Sequence, residues 1–218
     1  MIASVEELAR ALRLRRPPDF FELRLDCLVG QLDFVREQIA DLRAPLIITA
    51  RAPDEGGVAR LTVAQRRRLL REFLPHAAYV DVELRSASRI HAAVLEHARR
   101  ESVKRIISVH HFENIVSEEM MRGSLERAQI FAPDIFKIAV RTDLPAQCLQ
   151  LLRFVERHGN THPRIAAMGI GKLGRRSRIE LARRGSGLIY AHLGTAIVAG
   201  QLSLSAARAI LRTNRSVY

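Results

Sequence analysis

The chain has 218 residues, 48% hydrophobic and 27% charged, which is enough for one sizeable core and leaves no stretch polar enough to stay disordered. No apolar run, the longest being of the kind Pro45-Leu46-Ile47-Ile48, approaches the roughly 18 residues of a membrane span, and Cys27 and Cys148 lack metal-type spacing. A formal charge of +12 invites a nucleic-acid partner, but the arginines spread from Arg10 to Arg215 without interleaved aromatics, so that partner is disfavoured.

Short β-rich runs alternate with segments of helical period. In chain order the strands read Ile2–Ser4, Phe20–Leu25, Leu46–Arg51, Tyr79–Leu84, Arg105–His110, Ile135–Val140, Ile165–Met168 and Leu188–Ala191. The helices between and after them read Val5–Arg13, Leu32–Leu42, Val63–Leu74, Ser88–Arg100, Glu118–Gln129, Pro145–His158, Arg178–Arg184 and Leu204–Arg212. Thr62 with Gln65, and Ser177 with Glu180, have the spacing of capping boxes, and the clusters Arg66-Arg67-Arg68, Arg99-Arg100 and Arg183-Arg184 read as solvated helix faces. Strict alternation of strand and helix predicts an α/β fold, and the count of eight favours a (β/α)8 TIM barrel, with residues 1–218 as a single domain. An open doubly wound sheet is the alternative. The opening Met1-Ile2-Ala3-Ser4-Val5-Glu6-Glu7 does not read as a secretory signal, so the expected location is cytoplasmic.

In such barrels the reactive groups project from the C-terminal strand ends, and polar residues collect there in this sequence. Glu22, Arg24 and Asp26 fall on one face by period-two alternation, as do Thr49 and Arg51. Asp81 and Glu83 follow on the next strand, then Ser108 and His110, then Lys137 inside Asp134-Ile135-Phe136-Lys137-Ile138-Ala139-Val140. Inward charges on five successive strands would each cost several kcal/mol unless paired with one another or with a ligand, so a polar pocket is expected. Lys137 carries the sharpest signal. Only three of the 35 basic residues are lysines, and a lysine, unlike arginine, can lose its proton and attack a carbonyl to form a Schiff base.

Taken in order, Glu-Leu-Arg-Leu-Asp (22–26), Thr-Ala-Arg with Glu-Gly-Gly (49–51, 55–57), Asp-Val-Glu (81–83), Ser-Val-His-His-Phe (108–112), Phe-Lys-Ile-Ala (136–139), Gly-Lys-Leu-Gly-Arg-Arg-Ser-Arg (171–178) and Ala-Gly-Gln (199–201) resemble the motifs of type I 3-dehydroquinate dehydratase over nearly the whole chain. The resemblance implies dehydration of 3-dehydroquinate, a small anionic substrate, to 3-dehydroshikimate in the shikimate pathway, with no metal and no cofactor, by a homodimer. It implies that Lys137 forms an imine with the substrate ketone, that His110 is the general acid and base, and that Glu55 pairs with the histidine. Glu22, Arg24 and Arg51 would contact substrate hydroxyls, and Arg178 and Gln201 its carboxylate. The alternatives, ranked behind this reading, are another Schiff-base barrel lyase or aldolase acting on an oxo-acid and a catalytically silent basic nucleic-acid-binding relative.

Gly169-Ile170-Gly171-Lys172-Leu173-Gly174 fits the glycine pattern of dinucleotide-binding turns, but no Asp or Glu occurs after Glu180 to hold a ribose, so the glycines are expected to serve a tight turn. His111 points away from His110 and has no supporting ligands for a metal. Three positions depart from the family: Ile170 for a methionine, and Ile197 and Ala199 for the serine and proline of the segment before Gln201, with Thr195 as a candidate replacement for the lost hydroxyl.

Overall fold

A computed structural model describes residues 1–87, 92–112, 115–159 and 161–215. Along the described residues run α1 (Val5–Arg13), β1 (Phe21–Arg24), α2 (Leu32–Gln38), β2 (Leu46–Thr49), α3 (Val63–Phe73), β3 (Ala77–Glu83), α4 (Leu84–Ala87), α5 (Ala92–Arg100) and β4 (Lys104–His111). There follow α6 (Glu118–Gln129), β5 (Ile135–Arg141), α7 (Pro145–His158), β6 (Arg164–Ile170), α8 (Gly174–Arg183), β7 (Ala191–His192), β8 (Leu202–Ser203) and α9 (Leu204–Arg215). The fold is α/β. The larger sheet has the order β1-β2-β3-β4-β5-β6, and β7 and β8 form a separate parallel pair. Two compact units are distinguished, Met1–Ile107 and Ser108–Tyr218, with the division falling inside β4.

In the first unit β1, β2 and β3 are parallel, with Arg24 opposite Thr49 and Thr49 opposite Asp81. Every residue of β1 and β2 is buried, which is the pattern of strands covered on both faces, and Phe21, Leu23, Ile48, Val80 and Val82 are wholly buried. The helices follow local rules. Ser4 accepts from the Glu7 amide at 3.2 Å, with Glu6 and Glu7 in the first turn of α1 and Arg10 and Arg13 in its last. Thr62 and Gln65 form a reciprocal capping box at α3, Gln65 N donating to Thr62 Oγ1 at 3.2 Å and Thr62 N to Gln65 Oε1 at 2.8 Å.

In the second unit β5 and β6 pair in parallel from Ile135 opposite Arg164 to Arg141 opposite Ile170, placing Lys137 opposite Ala166 and Ala139 opposite Met168. Phe136, Ile138 and Val140 are buried on one face of β5, while Lys137 and Ala139, also buried, occupy the other. Helix α7 starts with Pro145, which has no amide to leave unsatisfied in the first turn, and buries Cys148, Leu151, Phe154 and Val155 at the spacing of one helical face.

Helices Val5–Arg13, Glu118–Gln129 and Pro145–His158 coincide with expectation; other elements differ for physical reasons. Ile2 makes only an isolated bridge to Leu23, held by Ile2 N to Glu22 O at 2.7 Å and Arg24 N to Ile2 O at 2.9 Å, so the expected first strand is a single ladder rung. The expected last strand is reduced to Ala191–His192 and pairs with Leu202–Ser203, too short to show a period. The expected helix over 32–42 tightens into a 3₁₀ turn at Ile39–Asp41. That over 88–100 is α5 from Ala92, with Ser88 outside the described residues. Helix α8 begins at Gly174, four residues before Arg178, so Ser177 is not its cap: it lies inside the helix and its hydroxyl donates to Gly174 O at 2.8 Å. Glu180, the expected capping-box partner, instead pairs with Arg183 and Arg184.

Replacing Thr62 by Ala should cost about 1 kcal/mol of stability, read as a lower urea midpoint at unchanged slope, whereas Ser177→Ala should show no capping loss.

Candidate active site

At the ends of β1 to β3 the buried charges satisfy one another. Arg24, the last residue of β1, folds back on Asp26 in the following 3₁₀ turn, with Nε to Oδ1 at 2.9 Å and Nη2 to Oδ2 at 2.7 Å, a bidentate charge-assisted pair. Asp26 also accepts from Arg51 N at 3.1 Å and Val58 N at 3.2 Å, and Arg24 Nη2 reaches Gly56 O at 3.1 Å. One carboxylate thereby anchors both ends of the segment 51–58. That segment can close only with glycine at 57, since a Cβ there would lie 2.4 Å from Arg51 O. Thr49 donates to Glu22 at 3.1 Å.

Arg51 continues the network. Its Nη2 lies 2.7 Å from Asp81 Oδ2 and its Nη1 3.3 Å from Glu83 Oε1, which also accepts from Ala52 N at 2.9 Å. The other oxygen of Glu83 takes Arg66 Nη1 at 2.7 Å, and Arg66 Nη2 reaches Ser86 at 3.2 Å. The flanking carboxylates hold the Arg51 guanidinium firmly charged despite its burial. Arg66 was not expected here, because its cluster reads as a solvated face. The signal was present: Arg66, Leu69, Leu70 and Phe73 fall at i, i+3, i+4 and i+7, the buried stripe of α3, whereas Arg67 and Arg68 are exposed.

Glu55 is buried beside this acid-rich set. Burial first, and then repulsion from Glu83, push its carboxyl up to about 7, against the weaker pull of Arg51 and of Arg85, whose Nε is 4.0 Å away. It therefore exchanges a proton near neutrality. Cys27, next to Asp26, has its thiol pushed up to about 12, chiefly by burial, and stays neutral.

In the second unit a different set surrounds one aromatic ring. Lys137 is 3% exposed, and its Nζ lies 3.9 Å from the ring centroid of Tyr190. Tyr190 packs with Ala139 and Met168, flanked by Ile170 and Leu188. Arg178, in α8, donates through Nε to Gly169 O at 3.0 Å and through Nη1 to the carbonyl of the same Tyr190 at 3.4 Å. Among the described residues it contacts no carboxylate, and burial alone pushes its guanidinium down to about 10. Carbonyl dipoles compensate a buried cation less than a carboxylate would, which leaves such a group able to accept an anionic partner. His110, near the end of β4, lies in a parallel stack with Phe112, centroids 6.2 Å apart. Tyr190 was not singled out from sequence, although it sits at the end of the expected strand 188–191.

Gln201 closes a turn: its Oε1 accepts from Ile197 N at 2.9 Å, and its own N donates to Val198 O at 3.1 Å. This turn lies on the start of α8, with Gly171 N donating to Ala199 O at 3.3 Å and Gly174 so close that a Cβ there would lie 2.9 Å from Ala199 O. The glycines of 169–174 thus serve close backbone approach. Among the described residues no three His, Cys, Asp or Glu side chains are grouped to hold a metal ion.

The model of the family described as type I 3-dehydroquinase matches residues 1–216. A 3-dehydroquinate dehydratase of Thermococcus gammatolerans is 33% identical over 197 residues, covering 88% of this chain and 86% of that protein. One of Methanothermobacter thermautotrophicus is 31% identical over 195 residues, covering 88% and 84%. Among solved structures, 3-dehydroquinate dehydratase from Geobacillus kaustophilus superposes with a TM-score of 0.86 at 26% identity, covering 97% of this chain and 86% of that one. Type I 3-dehydroquinate dehydratase from Clostridium difficile, with covalently modified comenic acid, gives 0.85 at 26% identity, covering 98% and 87%. With the family motifs falling on the strand ends and turns just described, and the match running through nearly every residue, the chain belongs to the type I 3-dehydroquinases.

Proposed function

We propose that Lys137 forms an imine with the ketone of 3-dehydroquinate, with His110 as general acid and base, in a chain that is by family a hydro-lyase of the shikimate pathway yielding 3-dehydroshikimate. The observation that carries the reading is one aromatic residue gripped by two buried cations. Lys137 lies over the ring of Tyr190, and Arg178, with no carboxylate partner among the described residues, holds its backbone carbonyl. An amine to take the ketone and a guanidinium to take the carboxylate are what a keto acid requires.

The chemistry proceeds in balanced steps. The Lys137 nitrogen adds to the carbonyl carbon, and water leaves with the former carbonyl oxygen, giving a protonated imine. His110 removes the C2 proton, and the released electron pair flows into the C=N bond. Hydroxide then departs from C1 as the proton is returned, and water hydrolyses the imine. Histidine suits both directions because its ordinary pKa lies near neutrality. Glu55, whose own carboxyl titrates near 7, is the carboxylate that orients the histidine. Glu22, Arg24 and Arg51 take the substrate hydroxyls; Nη1 of Arg24 is outside both its bond to Asp26 and its bond to Gly56. Arg178 and Gln201 take the carboxylate. We read residues 1–218 as one (β/α)8 catalytic barrel and the active species as a cytoplasmic homodimer, on the strength of the family likeness.

Borohydride reduction with saturating 3-dehydroquinate should add the ligand mass to Lys137. With only Lys104 and Lys172 as other lysines, peptide mass spectrometry gives an unambiguous answer, and a label on either of those, or none, overturns the imine. Lys137→Ala should abolish the enone absorbance of the product, and His110→Ala should lower kcat roughly 10²- to 10⁴-fold.

Arg178→Met should raise KM roughly 10- to 100-fold, the worth of a charge-assisted contact. The same change should leave the melting temperature equal or higher, because an unpaired buried charge is removed.

Glu55 gives a pH prediction. Its folded pKa of about 7 lies above the ordinary 4.5, so the stability associated with its protonated form is present below about 4.5 and lost as pH rises through about 7. Relative to wild type, Glu55→Gln should gain on the order of 3 kcal/mol between pH 4 and pH 8, measured by urea unfolding at both values, while losing turnover at all pH.

A further inference from the structure

We infer that Tyr190 is a positioning residue whose ring face carries the positive charge of the Lys137 nitrogen through imine formation. The inference deepens the imine reading and rests on it.

The geometry is specific. At 3.9 Å from the centroid, Nζ is in van der Waals contact with the ring face, where the aromatic quadrupole is negative. Lys137 is 3% exposed and Tyr190 9%, so water screens the contact little. The ring is fixed on both sides of its Cα: its side chain packs with Ala139 and Met168, and its carbonyl accepts from Arg178. It cannot follow a wandering lysine, so it sets where the nitrogen stands, and the ketone must come to Nζ from the side away from the ring.

The charge balance explains why a ring suits this place. The neutral amine adds to the ketone, and the adduct takes up a proton and loses water to give an iminium, so positive charge develops on Nζ above the ring face as the imine forms. A carboxylate at that position would form a tight ion pair and blunt the electron sink that makes the C2 proton acidic. A π face stabilises the cation without taking a proton from it and without directing a lone pair at the electrophilic carbon. It also displaces water that would hydrolyse the imine early. The hydroxyl of tyrosine plays no part in this account; the ring does.

The test replaces Tyr190 by phenylalanine and then by mono-, di- and trifluorinated phenylalanines, which keep the shape and progressively drain the ring face. Relative to Tyr190→Phe, kcat/KM for 3-dehydroquinate should fall about 2- to 3-fold with each fluorine, and the fraction of enzyme trapped by borohydride should fall in parallel. Tyr190→Leu should lie about 10- to 30-fold below Tyr190→Phe, the worth of a desolvated cation–π contact. Circular dichroism and melting temperature confirm that each variant is folded before comparison. A flat fluorine series, with Lys137 still labelled in the wild type, means that the ring merely packs and overturns the inference alone. Absence of label on Lys137 in the wild type overturns the imine reading instead.

Discussion

Asp26 and Glu83 are the points on which the first unit's strand ends depend. Each is buried and accepts from two different segments: Asp26 from Arg24 and from the backbone at 51 and 58, Glu83 from Arg51, Ala52 and Arg66. Removing one member would leave its partners charged and dry, at a cost of about 3–5 kcal/mol, so the members are retained together or not at all. The network also sets the character of Glu55. Burial disfavours the charge of Glu55 first, Glu83 adds repulsion, and Arg51 is already engaged by Asp81 and Glu83, so the added carboxylate is poorly compensated and its affinity for a proton rises.

The second unit reverses that balance. Lys137 and Arg178 converge on Tyr190, one on its ring and the other on its carbonyl, and no carboxylate meets the guanidinium among the described residues. The first unit holds Arg24, Arg51 and Arg66 against carboxylates, whereas Arg178 is held by the carbonyls of Gly169 and Tyr190. The formal charge of +12 acquires a local meaning from this contrast. Many exposed arginines are paired, Arg99 with Glu96, Arg122 with Glu126, Arg183 and Arg184 with Glu180. Such surface pairs contribute little stability. The buried guanidinium of Arg178 differs from these in meeting carbonyls where they meet carboxylates.

What could be read from the sequence follows the range of the forces involved. Helices α1, α6 and α7 were legible because caps, periodicity and a first-turn proline act within a few residues. The polar strand ends were legible because alternation repeats every two residues. Ile2–Ser4, Ala191–His192 and Leu202–Ser203 were not, because each consists of one or two ladder rungs whose existence depends on a distant partner. Ser177 misled because serine followed by an acid has the cap spacing, but the run from Gly174 already turns as a helix, and its hydroxyl bonds back to Gly174 O. Arg66 was obscured by its neighbours Arg67 and Arg68, and Tyr190 by lying at the edge of a strand too short to show alternation. The motifs of the family single out Lys137, His110 and Arg178 as candidates; the tyrosine that touches two of them emerges only from three-dimensional contact.

The segment before Gln201 shows why departures from a motif need not loosen a loop. Its turn is closed by the backbone N of Ile197 donating to Gln201 Oε1, and it is tied to the start of α8 by the carbonyl of Ala199 accepting from Gly171 N. Both ties use main-chain atoms, which every residue except proline supplies as donor and all supply as acceptor. Replacing the family's serine and proline by Ile197 and Ala199 leaves these bonds in place. The lost serine hydroxyl is a donor that a carboxylate could have used, and the lost proline ring a restriction on the unbound loop. The side chain of Gln201 already spends its oxygen on Ile197 N, which turns the amide nitrogen into the end suited to an anion. The same bond that shapes the turn fixes the orientation of the Gln201 amide, and Ile197 and Ala199 enter the turn through main-chain atoms alone.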